Sequence, residues 1–122
     1  MDKVTERVYV CEADLKEGQM RGLKVEFASL PKKRHQWLLV VKHRGKYHLL
    51  DAACAHSGYP LHTGKLDGNG VITCALHYAK FDCVTGQVVS EPAICENQVT
   101  FEIEVADGKV YWLRESDAGR KQ

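Results

Sequence analysis

Cys54-Ala55-His56 and Cys74-Ala75-Leu76-His77 decide how this chain is read. Each motif offers one thiolate and one imidazole, and residues 57–73 separate the two. Thiolate is a soft donor suited to iron–sulfur clusters and zinc, whereas imidazole suits zinc and iron. A 2Fe–2S cluster held by two cysteines on one iron and two histidines on the other takes its ligands from two such loops lying side by side. A tetrahedral zinc site could use the same four residues. Structural zinc sites, however, usually pair Cys with Cys and His with His, as C-x2-C followed by H-x3-H. Here each pair is mixed, Cys then His, twice in the same order. That order favours the cluster.

The rest of the chain sets the frame. Its 122 residues suit one domain, long enough to bury a core without disulfides. A formal net charge of +1 argues against nucleic-acid binding, which needs a concentrated basic surface. No apolar run approaches a membrane span and no secretory signal follows Met1, so the expectation is a cytoplasmic protein with reduced cysteines and no membrane contact. Five cysteines are an odd set, which argues against a complete disulfide framework. Cys11, Cys83 and Cys95 have no partner at comparable spacing and read as core filling.

Period-two patterns predict an all-β chain. Val4, Val8 and Val10 read as inward residues of a first strand, and Leu23 to Phe27 alternates cleanly. Trp37 to Val41 is continuously apolar, and His43-Arg44-Gly45-Lys46 reads as a hairpin turn into Tyr47 to Leu50. Residues 51–95 change character: Gly, Asp, Ser and Pro surround short apolar stretches, the chemistry of loops and small hairpins on which a site is mounted. Alternation returns from Val99 to Val105, with Val99, Phe101, Ile103 and Val105 on one face, and Asp107-Gly108 is the strongest hairpin signal. The polar tail Glu115 to Gln122 is expected to fray. The expected organisation over residues 1–122 is a β base from 1–50 and 96–115 carrying a loop-rich subdomain from about 51–95.

From about Trp37 to Leu113 the chain resembles the small Rieske-type ferredoxins, especially those of bacterial ring-hydroxylating oxygenase systems. The matching stretches are Cys54-Ala55-His56, Gly64-Lys65-Leu66-Asp67-Gly68, Cys74 through Asp82, Thr85-Gly86 and Pro92-Ala93. The first thirty-six residues match poorly, and Met20 to Gln36 reads as a locally different edge. The resemblance implies a β-sandwich base with an inserted cluster-binding subdomain. Cys54, His56, Cys74 and His77 would ligate one 2Fe–2S cluster, and Pro92 would lie in a loop that covers it. Tyr59, Pro60, His62 and Tyr78 would rim the tip. Respiratory-type members carry an extra cysteine in each loop, at the positions of Tyr59 and Leu76 here, so their loop-bridging disulfide cannot form. Their Ser and Tyr hydroxyls, donors to sulfur, fall on Ala79 and Phe81. Loss of such donors lowers the potential, toward about −150 mV instead of about +300 mV.

The expected role is therefore one-electron transfer without a catalytic residue. No two-His-one-carboxylate iron site and no Rossmann or flavin motif is present, so a flavin-dependent reductase would supply electrons and a terminal oxygenase or similar acceptor would take them. A fixed small Rieske subunit of a larger oxidoreductase, a zinc-stabilised interaction module and a redox-sensing cluster protein are the competing readings. His62 reads as an exposed loop histidine; His35, His43 and His48 read as surface residues. Lys32-Lys33-Arg34 reads as a solvated loop, with steering of an acidic partner as the sharper alternative. Trp37 and Trp112 read as core or base-sheet packing.

Overall fold

Leu38, Leu39, Val40 and Val41 are all fully buried, which is why this strand shows a continuous apolar run and not an alternation. A computed structural model describes residues 3–27, 34–55, 58–76, 78–90 and 96–117, and nearly all its regular structure is β. The strands are β1 (Lys3–Glu12), β2 (Met20–Phe27), β3 (Arg34–His43), β4 (Lys46–Asp51), β5 (Lys65–Leu66), β6 (Val71–Thr73), β7 (Lys80–Asp82), β8 (Thr100–Phe101), β9 (Ile103–Ala106) and β10 (Lys109–Asp117). They form three antiparallel sheets, ordered β1-β10-β9, β2-β3-β4-β8 and β5-β6-β7. The stretch from Met20 is thus an edge strand, β2, paired along its length with β3.

Side chains alternate across a strand, so the two faces of β3 and β4 serve two cores. Leu38, Val40 and Leu49 join Val10, Leu15, Val25, Val110 and Trp112 in the base. Leu39, Val41 and Leu50 face the other way, into a core with Leu61, Ile72, Phe81, Cys54 and Cys74. Val8 packs against the base core, Trp112 is buried against Phe101 at 4.8 Å between ring centroids, and Cys11 and Cys83 fill space as expected. Val4's side chain and Cys95, together with Lys32, Lys33 and Pro92, lie outside the described residues.

Several expectations are corrected. Trp37 is 53% exposed: it shares a face with Leu39 and Val41, but at the strand position where the layer covering that face gives out beside Pro60 and Gly58. His43 is buried, because its ring packs on Gly70, where a Cβ would lie 2.7 Å from Nε2. His48 is half-buried, and that burial holds its pKa below the usual histidine value. Val99 and Val105 are exposed: the run breaks at Glu102, where the chain leaves one sheet for another, so only Phe101 and Ile103 pack inward. Glu115–Asp117 does not fray, since β10 pairs with β1 as far as Asp117 opposite Lys3.

Burial pushes the Cys83 thiol up from 9.0 to about 11. The folded protein keeps this proton where the unfolded chain has begun to lose it. Its contribution to stability is therefore intact below about pH 9 and is lost as pH rises through about 11. Cys11 is shifted in the same direction, also by burial. Denaturant midpoints measured across this range should fall with pH, and should fall less in Cys83→Ala.

Candidate metal centre

Cys54 and Cys74 each open a six-residue loop at the end of a hairpin. Ala53 bridges Pro60 across the first loop, and Thr73 pairs with Lys80 across the second. The loops close with the same backbone hydrogen bonds. The Cys54 N–H donates to the Tyr59 carbonyl at 2.9 Å, and the Gly58 N–H donates to the Cys54 carbonyl at 2.7 Å. In the second loop Cys74 N–H donates to Ala79 at 2.8 Å, and Tyr78 N–H donates back to Cys74 at 3.0 Å. The fifth residue of each loop takes a left-handed backbone: φ is 75° at Gly58 and 62° at Tyr78. Glycine adopts this conformation without strain, whereas a residue with a Cβ is strained by roughly 1–2 kcal/mol.

Both cysteines are buried, at 3% and 0% exposure, in one core, and neither is in a disulfide. Two buried thiols at the heads of twin loops fit a thiolate-ligated centre. His56, Ser57 and His77 lie outside the described residues, and among the described residues no three Cys, His, Asp or Glu side chains converge. Ala79 and Phe81 are fully buried beside the cysteines and carry no hydroxyl. Tyr59 and Leu76 are exposed, and neither position can supply a bridging thiol.

Gln98 is the residue that sequence reasoning missed. It is buried, and its amide Nε2 donates to the carbonyls of Asp51 at 2.8 Å and Ala53 at 2.5 Å. Its Oε1 accepts from the Ala55 N–H at 2.8 Å, one residue past Cys54. Its backbone N–H donates to Gly86. One side chain thus fixes the start of the first loop and the end of β4. Nothing in the stretch Glu96-Asn97-Gln98 marks it. The only signal available was a short polar run between two apolar ones.

The surroundings differ on the two sides. Beside the first loop, Trp37, Ala52, Ala53, Gly58, Pro60 and His62 line an open groove of about 350 Å³. The His62 ring is exposed at its rim and lies over Gly22, where a Cβ would sit 2.4 Å from Nδ1. Beside the second loop, a wider depression of about 640 Å³ is lined by Thr63, Lys65, Thr73, Cys74, Tyr78 and Lys80.

A three-sheet β frame with paired cysteine loops defines an all-β metal-centre domain. The family described as the Rieske 2Fe–2S domain matches residues 6–110, and the chain belongs to that family. The match begins well before Trp37, so most of β1 and all of β2 fall within it although the resemblance read from the residues begins only at about Trp37. Membership implies a Rieske-type 2Fe–2S cluster, and the two buried thiols fit it. The chain is 33% identical over 73 residues to the ferredoxin component of the alkene monooxygenase system of Xanthobacter autotrophicus, covering 60% of this chain and 58% of that protein. It is 32% identical over 103 residues to apoptosis-inducing factor 3 of Homo sapiens, covering 84% of this chain but 15% of that protein. The chain thus spans little more than half of the first and a small part of the second. A chain in the complex of reduced oxygenase and oxidized ferredoxin in carbazole 1,9a-dioxygenase superposes with a TM-score of 0.71 at 29% identity, over 88% of this chain and 92% of that one. The Sphingomonas yanoikuyae B1 ferredoxin shares the fold, with a TM-score of 0.69 at 24% identity over 89% and 99% of the two chains. No helix among the described residues is long and apolar enough to cross a membrane.

Replacing Gln98 with Leu leaves three backbone groups without its amide and should cost about 2–4 kcal/mol. Denaturation should show that loss, and iron and sulfide analysis should show fewer loaded chains. Gln87→Leu, at an exposed position, should change neither.

Proposed function

We propose that this protein is a one-electron carrier, not itself an enzyme, in which Cys54, His56, Cys74 and His77 hold a 2Fe–2S cluster. It works in the cytoplasm, taking electrons from a flavin-dependent reductase and passing them to a terminal oxygenase or similar acceptor. The observation that carries this reading is the pair of buried cysteines, Cys54 and Cys74, on loops closed by the same two backbone hydrogen bonds in a member of the Rieske family. Support for the partners comes from the relatives, one named as the ferredoxin component of a monooxygenase system and one found in a complex of oxygenase and ferredoxin.

When bound, the cluster supplies reversible one-electron chemistry. The chain's own part is to supply the ligands, to bury the thiolates away from water and to keep the loops from moving. Residues 1–50 and 96–115 act as the base, and residues about 51–95 as the cluster-binding unit. A potential in the lower part of the Rieske range is supported by Ala79 and Phe81, which offer no hydroxyl to sulfur.

Direct voltammetry of anaerobically purified protein tests the proposal. A reversible one-electron wave near about −150 mV is expected, falling as pH rises into alkali, where metal-bound imidazole loses its remaining proton. Cys54→Ser and His77→Ala should each abolish that wave. A clearly positive potential would remove the low-potential assignment, and a pH profile flat into strong alkali would remove the histidine ligands. Colourless protein holding zinc and no iron would end the electron-carrier reading.

A further inference from the structure

Tyr78 is 71% exposed, yet its backbone is held at φ 62°. The other described non-glycine residues with positive φ, Arg44 and Asp107, sit in tight hairpin turns and are each followed by a glycine. At the matching position of the first loop the same conformation is taken by Gly58. The fold therefore asks for a left-handed residue here and gains little burial from a large aromatic one. A strained side chain that the fold does not need points outward to function.

Its surroundings say what it meets. Leu76, on the same loop, is 45% exposed. Lys65 pairs with Thr73, and Thr73 with Lys80, so the two lysines stand on one face of the small sheet with Thr73 between them. Both are exposed, and among the described residues neither is in a salt bridge. Asp67 and Asp82 lie two residues further from the loop. Each is turned to backbone N–H groups, Asp67 to Asn69 and Val71, and Asp82 to Val84 and Thr85. The positive end of this face is the end beside Cys74, and the depression lined by Lys65, Thr73, Cys74, Tyr78 and Lys80 opens there.

We infer that Tyr78, flanked by Lys65 and Lys80, is the contact residue of a docking surface for an acidic redox protein, whose carboxylates meet the lysines while the phenol ring enters an apolar depression. The inference rests on the electron-carrier reading and adds the side of the molecule and the charge of the partner. Opposite charge speeds encounter, and an exposed aromatic anchor holds the complex once formed.

The test uses loaded protein and two probes in stopped flow. One is reduced flavodoxin, an acidic flavoprotein that gives up one electron as this protein gains one. The other is ferricyanide, a small anionic oxidant that takes one electron from the reduced protein. Tyr78→Asn and Tyr78→Gly should denature at or above the wild-type midpoint, with unchanged cluster EPR and potential. Their flavodoxin rates should fall by about tenfold, with ferricyanide rates not lowered. Lys65→Glu with Lys80→Glu should slow both probes and flatten the salt dependence. Loss of stability or cluster in both Tyr78 variants would make the residue structural, and an unchanged flavodoxin rate would remove it from the contact. Unchanged rates and salt dependence after charge reversal would remove the lysines. If wild-type protein exchanges electrons with neither probe, the carrier reading itself fails.

Discussion

Leu39 and Val41 turn from β3 into the core that holds Cys54 and Cys74, while Leu38 and Val40, on the alternate positions, turn into the base. One strand is thus the shared wall of two cores, and the small sheet with its loops is referenced to the base through it. Each fully buried side chain of this kind is worth roughly 1.5–3 kcal/mol. Four in succession make β3 the place where the two halves are coupled. His43 against Gly70 adds a second tie at the end of the same strand, and the Glu17 carboxylate steadies the turn that follows by accepting from the N–H groups of Arg44 at 2.5 Å and Gly45 at 2.8 Å.

The twin loops show how a fixed backbone can carry an uneven pattern. Both have six residues, the same two closing hydrogen bonds and a left-handed fifth residue. The cysteine is first in each, but the histidine is third in one and fourth in the other. Aligned on their cysteines, the loops share both closing hydrogen bonds and the left-handed fifth position. Only the side-chain content has moved.

Much of this was legible because it is local. Trp37 to Val41 announced a doubly covered strand, and the turns at Arg44-Gly45 and Asp107-Gly108 announced themselves by composition. The cysteines stood out by spacing. What escaped was set by contacts distant in sequence. Nothing near Gln98 tells that its amide reaches back across more than forty residues. Period-two reasoning assumed that Val99 to Val105 served one sheet, and it failed where the chain changed sheets at Glu102. Trp37 continued an apolar run, but on its face of the strand the covering layer ended at Leu39. His43 looked like a turn residue, yet its buried ring packs on Gly70, in another sheet's loop.

Gln98 also imposes an order of events. The first cysteine loop lies forty-odd residues ahead of the side chain that fixes it, so during synthesis that loop emerges well before its clamp. Until residue 98 has left the ribosome, Ala55 and the end of β4 lack the amide that holds them. A nascent chain at that stage would present the Cys54 thiol on a loop without its clamp, open to oxidation or to the wrong metal. Burial of Gln98 is in this sense a timer: the first loop gains its clamp only when the return segment that lies beyond it has been made.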